Sequence, residues 1–172
     1  MSTDEQFMRL AFREAEQAHW VGEIPIGAVV THQGQVIGRG HNSKETLCDP
    51  TAHAEIIALR QAASSRGGWR LTGTTLYCTM EPCPMCAGAM IQARISRLVY
   101  GVDDPKGGAA GSVLDLLQNT QLNHCVQVTR GVLASEIGDL LSTFFHGLRH
   151  GDISRYSAGW RQRRLAGKED SL

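Results

Sequence analysis

Residues 74–101, TTLYCTMEPCPMCAGAMIQARISRLVYG, read as a strand, a helix and a strand in immediate succession. TTLYCTM is dense in β-branched and aromatic residues, and Glu81-Pro82 ends it, since proline cannot continue a central strand. CPMCAGAMIQA, with a proline near its start, predicts a buried helix, and RLVYG predicts the next strand. Cys83 and Cys86 therefore fall at the start of a helix. There, two thiolates can reach one ion while peptide N–H groups point toward them.

Upstream, AHAEIIALRQAA predicts another helix, capped by Asp49 or Thr51, with Ala54, Ile57 and Ala58 on one side. IGAVVTH and QVIGRG, joined by Gln33-Gly34, predict a hairpin whose continuous apolar stretch suggests burial on both faces. Ser2 and Glu5 have capping-box spacing, and Met8, Ala11, Phe12 and Ala15 form one stripe, so a first helix runs to about Ala18. Downstream, the loop DDPKGGAAGS leads through VLDLLQ to a fifth strand around VQVTRGV and a helix from Ser135 to about Arg149. With no repeat or internal linker, residues 1–150 are expected to form one α/β domain of three layers, a mixed sheet of about five strands with helices on both faces.

The bulk numbers agree with one enzyme-sized domain. The chain has 172 residues, 42% of them hydrophobic, and Lys plus Arg equals Asp plus Glu at 17 each. No global charge pulls it toward nucleic acid or an anionic membrane. No apolar run is long enough to span a bilayer, and MSTDEQFMRL is too polar for a secretory signal, so a soluble cytoplasmic protein is expected. Five cysteines, an odd number, argue for reduced thiols and a metal rather than a disulfide framework. Charge does gather after Arg149: Arg149, Arg155, Arg161, Arg163, Arg164 and Lys168 face only Asp152 as far as Lys168. The stretch 151–172 therefore reads as a basic tail, with Tyr156 and Trp160, suited to RNA backbone contacts or simply to solvent. Trp20 and Trp69 read as core or interface residues, and His19, His32, His124, His146 and His150 as ordinary.

His53, thirty positions before Cys83, also opens a helix, so two helix N-termini could converge at one end of the sheet. Two thiolates and an imidazole suit Zn2+, and three protein ligands leave a position open, as catalytic zinc requires. Cys48 could close the site as a fourth ligand, but its place before Asp49-Pro50 suggests a turn. Glu55 is a candidate proton shuttle; the plain alternative is a solvent-facing glutamate favoured by the helix dipole. His53-x-Glu55 followed by Pro82-Cys83-x-x-Cys86 is the signature of zinc nucleobase deaminases. In that chemistry zinc lowers the pKa of water to about 7, and the glutamate carries its proton to a ring nitrogen and assists ammonia in leaving. Peptide N–H groups around Ala54 and the Glu81 to Cys83 turn could bind substrate or developing charge.

Through IPIGAVV, His41-Asn42, DPTAHAEIIALR, TLYCTMEPCPMCAGAMIQARI and DDPKGGAAGS, the chain resembles the bacterial tRNA-specific adenosine deaminases from about Phe7 to Phe145. The resemblance implies a cytidine-deaminase-like fold, one zinc per subunit on His53, Cys83 and Cys86, and proton transfer by Glu55. It further implies a substrate hydrogen bond from Asn42 and a place for Asp104 and Lys106 near flanking anticodon nucleotides. A homodimer acting on wobble adenosine in a tRNA anticodon stem-loop is implied as well. RYSAGWRQRRLAG departs from the regular helical tail of the family. Two other readings fit the same motif: a deaminase of a free base or nucleoside such as cytosine or guanine, and a non-catalytic zinc-stabilised RNA-binding module.

Overall fold

In the computed structural model, which describes residues 2–150, the Ser2 hydroxyl accepts from the Glu5 amide at 3.2 Å. The Glu5 carboxylate accepts from the Ser2 amide at 2.9 Å in return. This reciprocal cap starts α1 (Thr3–Trp20), which buries Met8, Ala11, Ala15 and Ala18 along one stripe. β1 (Gly27–His32) and β2 (Gln35–His41) form the expected hairpin, with Gln33 and Gly34 both at positive φ as a two-residue turn of this hand demands. A single turn, α2 (Lys44–Leu47), leads to α3 (Ala54–Arg66). β3 (Thr74–Met80), α4 (Pro84–Ala93) and β4 (Arg97–Val102) follow at the places their sequence predicts, then β5 (Gln127–Arg130) and α5 (Ala134–His150). The basic tail at 151–172 lies outside the described residues.

The sheet order is β2-β1-β3-β4-β5. β1 is antiparallel to both its neighbours, while β3, β4 and β5 are parallel, so every strand but β1 points the same way. The C-terminal ends of β2, β3 and β4 thus deliver their following loops to one end of the sheet. Side-chain alternation divides the core in two. Ala28, Val30, Leu76, Cys78, Leu98 and Tyr100 face α3 and α4, whereas Val29, Tyr77 and Val99 face α1 and α5. The result is the mixed five-stranded, three-layer α/β/α architecture expected.

Three expectations need correction. β1 is buried along most of its length, but β2 is an edge strand with Gln35 and Arg39 exposed, because burial there depends on which strand ends up outermost. Neither Asp49 nor Thr51 caps α3: the Asp49 carboxylate accepts from the Thr51 amide and hydroxyl at 2.8 and 2.7 Å, and His53 itself holds the N-cap position. Of the two places expected for Trp20 and Trp69, core or interface, the core of this chain is excluded, since they are 65% and 59% exposed.

α3 lies close against β2. A Cβ on Gly40 would overlap the Ala54 carbonyl oxygen, and one on Gly38 would overlap that of Ala58. Glycine at both positions lets the helix backbone rest on the strand. Gly40→Ala should lift the first turn of α3 and cost about 1–3 kcal/mol, the range for overpacking a well-filled interior. Thermal melts with a zinc assay would check this; an unchanged Tm would show that the helix can shift freely.

On the opposite face, Arg97 clamps Asp4 through two contacts of 2.8 Å, tying the start of α1 to β4. This bond holds the Asp4 carboxyl below its usual range. A lowered folded pKa means that the stabilisation is complete above the unfolded value of about 3.9 and is lost as pH falls through the folded value. Asp4→Asn should therefore cost about 1 kcal/mol from pH 5 to 7, the gap from the parent closing in more acidic buffer. Urea unfolding across that range measures it; a gap independent of pH would rule the ion pair out as its source.

Candidate metal centre

β3 ends at Met80, and three residues later Cys83 holds the N-cap of α4 in an extended conformation (φ −71°, ψ 170°) with Pro84 at the first helical position. His53 holds the N-cap of α3 in the same way (φ −77°, ψ 151°). Neither side chain caps its own helix, so both are free to turn outward from it. They meet: His53 Nδ1 lies 3.6 Å from Cys83 Sγ and 3.5 Å from Cys86 Sγ. All three donor atoms fall within 4.8 Å of one another.

These separations fit zinc. An ion about 2.3 Å from sulfur and about 2.0–2.1 Å from nitrogen, with tetrahedral angles, sets nitrogen and sulfur roughly 3.6 Å apart. The geometry selects Nδ1 as the ring donor, and among the described residues no fourth ligand joins the three, so one tetrahedral position would be left open. Cys48 does not fill it: its thiol is exposed and donates to the Glu45 carbonyl at 3.7 Å, in a left-handed turn that ends α2.

Electrostatics favour thiolate here. A hydrogen bond from the Cys86 thiol, with the His53 ring nearby, holds Cys83 down to about 4 against the opposing effect of burial. Its hydrogen bond to Cys83 and burial push the Cys86 thiol up, and the bond to Cys83 raises the His53 pKa. The two sulfurs thus share a proton that a metal would displace. The N-termini of α3 and α4 add positive ends of two helix dipoles to the same spot.

Glu55 sits in the first turn of α3 and is buried, 4% exposed, so the solvent-facing alternative is excluded. Burial raises its carboxyl above the ordinary range, with the Cys86 thiol and its own peptide N–H beside it. A desolvated carboxyl of raised pKa beside a metal triad is suited to taking and returning protons. Ala54, between His53 and Glu55, is buried and offers only its peptide group to a ligand. Asn42 follows β2 at the same end of the sheet and is also buried; its neighbour Ser43 donates its amide to the carbonyl of Ala52, directly before His53. Asp104 and Lys106 lie in the loop after β4, Asp104 partly buried and Lys106 exposed. Asp104 Oδ1 accepts from the Lys106 amide at 3.0 Å, shaping the loop itself.

Two acidic residues of this end of the sheet went unread in the sequence. Glu81, two residues before Cys83, is buried and is wrapped by the loop at 104–112. Its carboxylate accepts from the amides of Asp104, Ala110 and Ser112 at 2.9–3.1 Å and from the Ser112 hydroxyl at 2.5 Å. Burial alone would raise its pKa, but these bonds outweigh it and hold the group below its usual value. A Cβ on Gly108 would overlap the Glu81 carboxylate, so the loop passes where only glycine fits. Glu23 is the other, 2% exposed, accepting from Asn42 Nδ2 at 3.1 Å and from the Thr46 amide at 2.6 Å. A signal existed for both: an acidic residue set in an otherwise apolar run, GEIPIG and CTMEPC.

Residues 1–102 match the family described as the cytidine and deoxycytidylate deaminase zinc-binding region. The chain is 48% identical over 149 residues to a tRNA-specific adenosine deaminase of Bacillus subtilis, covering 87% of this chain and 92% of the relative. It is 49% identical over 147 residues to one of Haemophilus influenzae, covering 85% of each. Among solved structures it resembles one from a study of A-to-I editing by tRNA:A34 deaminases at the wobble position of transfer RNA. That likeness has a TM-score of 0.76 at 46% identity, over 79% of this chain and 99% of the other.

Because each Glu81 oxygen takes at least one backbone N–H, Glu81→Gln must aim its NH₂ at a backbone N–H whichever way the amide turns. Amide exchange across 104–112 should quicken by at least about tenfold, or roughly 1.4 kcal/mol of local stability, with the metal ligands untouched. Exchange at the parent rate would mean that the loop holds its shape without this carboxylate.

Proposed function

We propose, from the premise that this chain belongs to the family of tRNA-specific adenosine deaminases, that its metal centre hydrolyses adenosine to inosine at the wobble position of a tRNA anticodon loop. The observation that carries the reading is a zinc-fitting triad with one open position beside a fully desolvated Glu55.

Zinc held by His53, Cys83 and Cys86 supplies Lewis acidity that makes water a competent nucleophile near pH 7. Glu55 takes the proton released as water adds to C6 of the base and delivers it to N1, so the ring gains a proton as the new C–O bond forms. It then transfers the remaining proton to the exocyclic nitrogen, which departs as ammonia as the C–N bond breaks and the carbonyl of inosine forms. The peptide N–H at Ala54 and the side chain of Asn42 orient the base, and Asp104 and Lys106, on the loop anchored by Glu81, meet nucleotides beside it. A buried site of this kind reaches its carbon only in a base outside the stack, and unpaired loop nucleotides leave the stack at least cost.

The working enzyme is a cytoplasmic homodimer with one zinc per subunit. An apolar groove of about 570 Å³ on the outer side of α3 and α4, lined by Ile56, Leu59, Ala63, Trp69, Ala89 and Ala93, supports a subunit contact there. None of the described helices is long and apolar enough to cross a membrane. Residues 1–150 make up the deaminase domain, and the basic stretch at 151–172 supplies cations to RNA phosphates.

The test incubates zinc-loaded protein with an anticodon stem-loop bearing wobble adenosine, alongside free adenosine, cytosine, cytidine and guanine, and follows inosine and ammonia. Inosine is expected from the stem-loop alone. Glu55→Gln should keep its zinc and its RNA binding and lose about 10²- to 10⁴-fold in turnover. Ammonia from a free base would move the substrate to that class, and turnover unaffected by Glu55→Gln would remove Glu55 from the proton path.

A further inference from the structure

Asn42 is held at three points. Its backbone amide donates to the Ile26 carbonyl at 2.9 Å, the next amide donates to Ala52 at 3.0 Å, and its side-chain Nδ2 donates to Glu23 Oε2 at 3.1 Å. The other Glu23 oxygen accepts from the Thr46 amide at 2.6 Å. Glu23 takes no part in the metal centre, yet it is 2% exposed, and a carboxylate buried so deeply must repay its desolvation through what it binds. Glu23 and Asn42 together line a cavity of about 190 Å³, with Gly22, Ile24, Lys44 and Phe144.

An asparagine side chain has nearly the same shape either way round, but reversing it exchanges donor and acceptor. A carboxylate can only accept. Facing Glu23, Asn42 must present Nδ2, and its carbonyl oxygen and second N–H are then fixed in place for a ligand.

We propose that Glu23 is a positioning residue that sets which edge of the Asn42 amide meets the nucleobase, and so contributes to the choice of base. This rests on the reading of Asn42 as a substrate contact. Thr46 makes the idea sharply testable. Its backbone amide is a donor that no side-chain substitution alters, so in Glu23→Gln the amide oxygen must turn toward Thr46 and the NH₂ toward Asn42. Asn42 must then reverse to offer its own oxygen. An isosteric change of one atom thereby inverts the hydrogen-bonding pattern offered to the base, with packing unchanged.

The experiment compares zinc-loaded wild type, E23Q, N42A and E23Q/N42A on the wobble-adenosine stem-loop, with zinc content and Tm measured for each. E23Q is expected to keep its zinc and Tm and to lose roughly 10- to 100-fold in kcat/KM, the effect of one mismatched buried hydrogen bond. In the N42A background the same change should cost nothing further. NMR of the side-chain amides should show the Asn42 NH₂ resonances leaving the position set by the carboxylate. If E23Q melts before assay, E23D, which remains acceptor-only, is compared with E23N of the same size; E23D should retain the greater activity. Impaired N42A with unimpaired E23Q, an equal loss from E23Q in both backgrounds, or E23D and E23N of equal activity would overturn the inference alone. Full turnover by N42A would overturn the substrate contact itself and the inference with it.

Discussion

Three donor atoms must stand about 3.6 Å apart before a tetrahedral ion can bind them, and side chains thirty positions apart in sequence do not reach that spacing by themselves. Here the spacing is met because two helices begin at the same end of one sheet, with His53 and Cys83 each at an N-cap. α4 is placed by its direct continuation from β3, through Glu81 and Pro82. α3 has no such short tether to β2, and its position depends on close contact with the strand, which Gly38 and Gly40 permit by lacking a Cβ. The metal geometry is therefore a readout of backbone packing several residues away, and the buried Glu55 follows from the same helix placement.

How much of this was legible depended on whether the deciding interaction was local. The strand, helix and strand at 74–102 stand where their residue pattern places them, because β-branched runs, a proline at a helix start and apolar periodicity are all properties of neighbours. The metal ligands were legible for a similar reason: spacing and residue type declare them. What stayed hidden lay in contacts between distant segments. Glu81 is held by amides of residues 104, 110 and 112, and Glu23 by those of Asn42 and Thr46, and most of those donors are backbone groups that every residue carries. The edge position of β2 was hidden as well, since strand order is a global property. Trp69 was read as core or interface and stands on the rim of an apolar groove, outside the core of the single chain.

Glu23 and Glu81 form a frame around the chemistry. One holds the Asn42 side chain before α2, the other the loop at 104–112 after β4, and the metal triad lies between those two segments in the order of the chain. Each accepts N–H donors on both oxygens, Glu23 from the Asn42 side chain and the single turn of α2, Glu81 from the irregular backbone of the loop at 104–112. Loops so held meet a ligand with less ordering still to be done, which is where a binding site for a flexible strand gains most.

The clamp between Asp4 and Arg97 carries a meaning for how the chain comes off the ribosome. α1 is made first, yet the surface it covers includes Tyr77 and Val99, on strands that emerge 60 to 80 residues or so after the helix has formed. Until β3 is made, its apolar stripe has only the hairpin of β1 and β2 to lie against. Seating of α1 thus waits on β4, and the pairing of Arg97 with Asp4 also releases the amino terminus from its search for a partner.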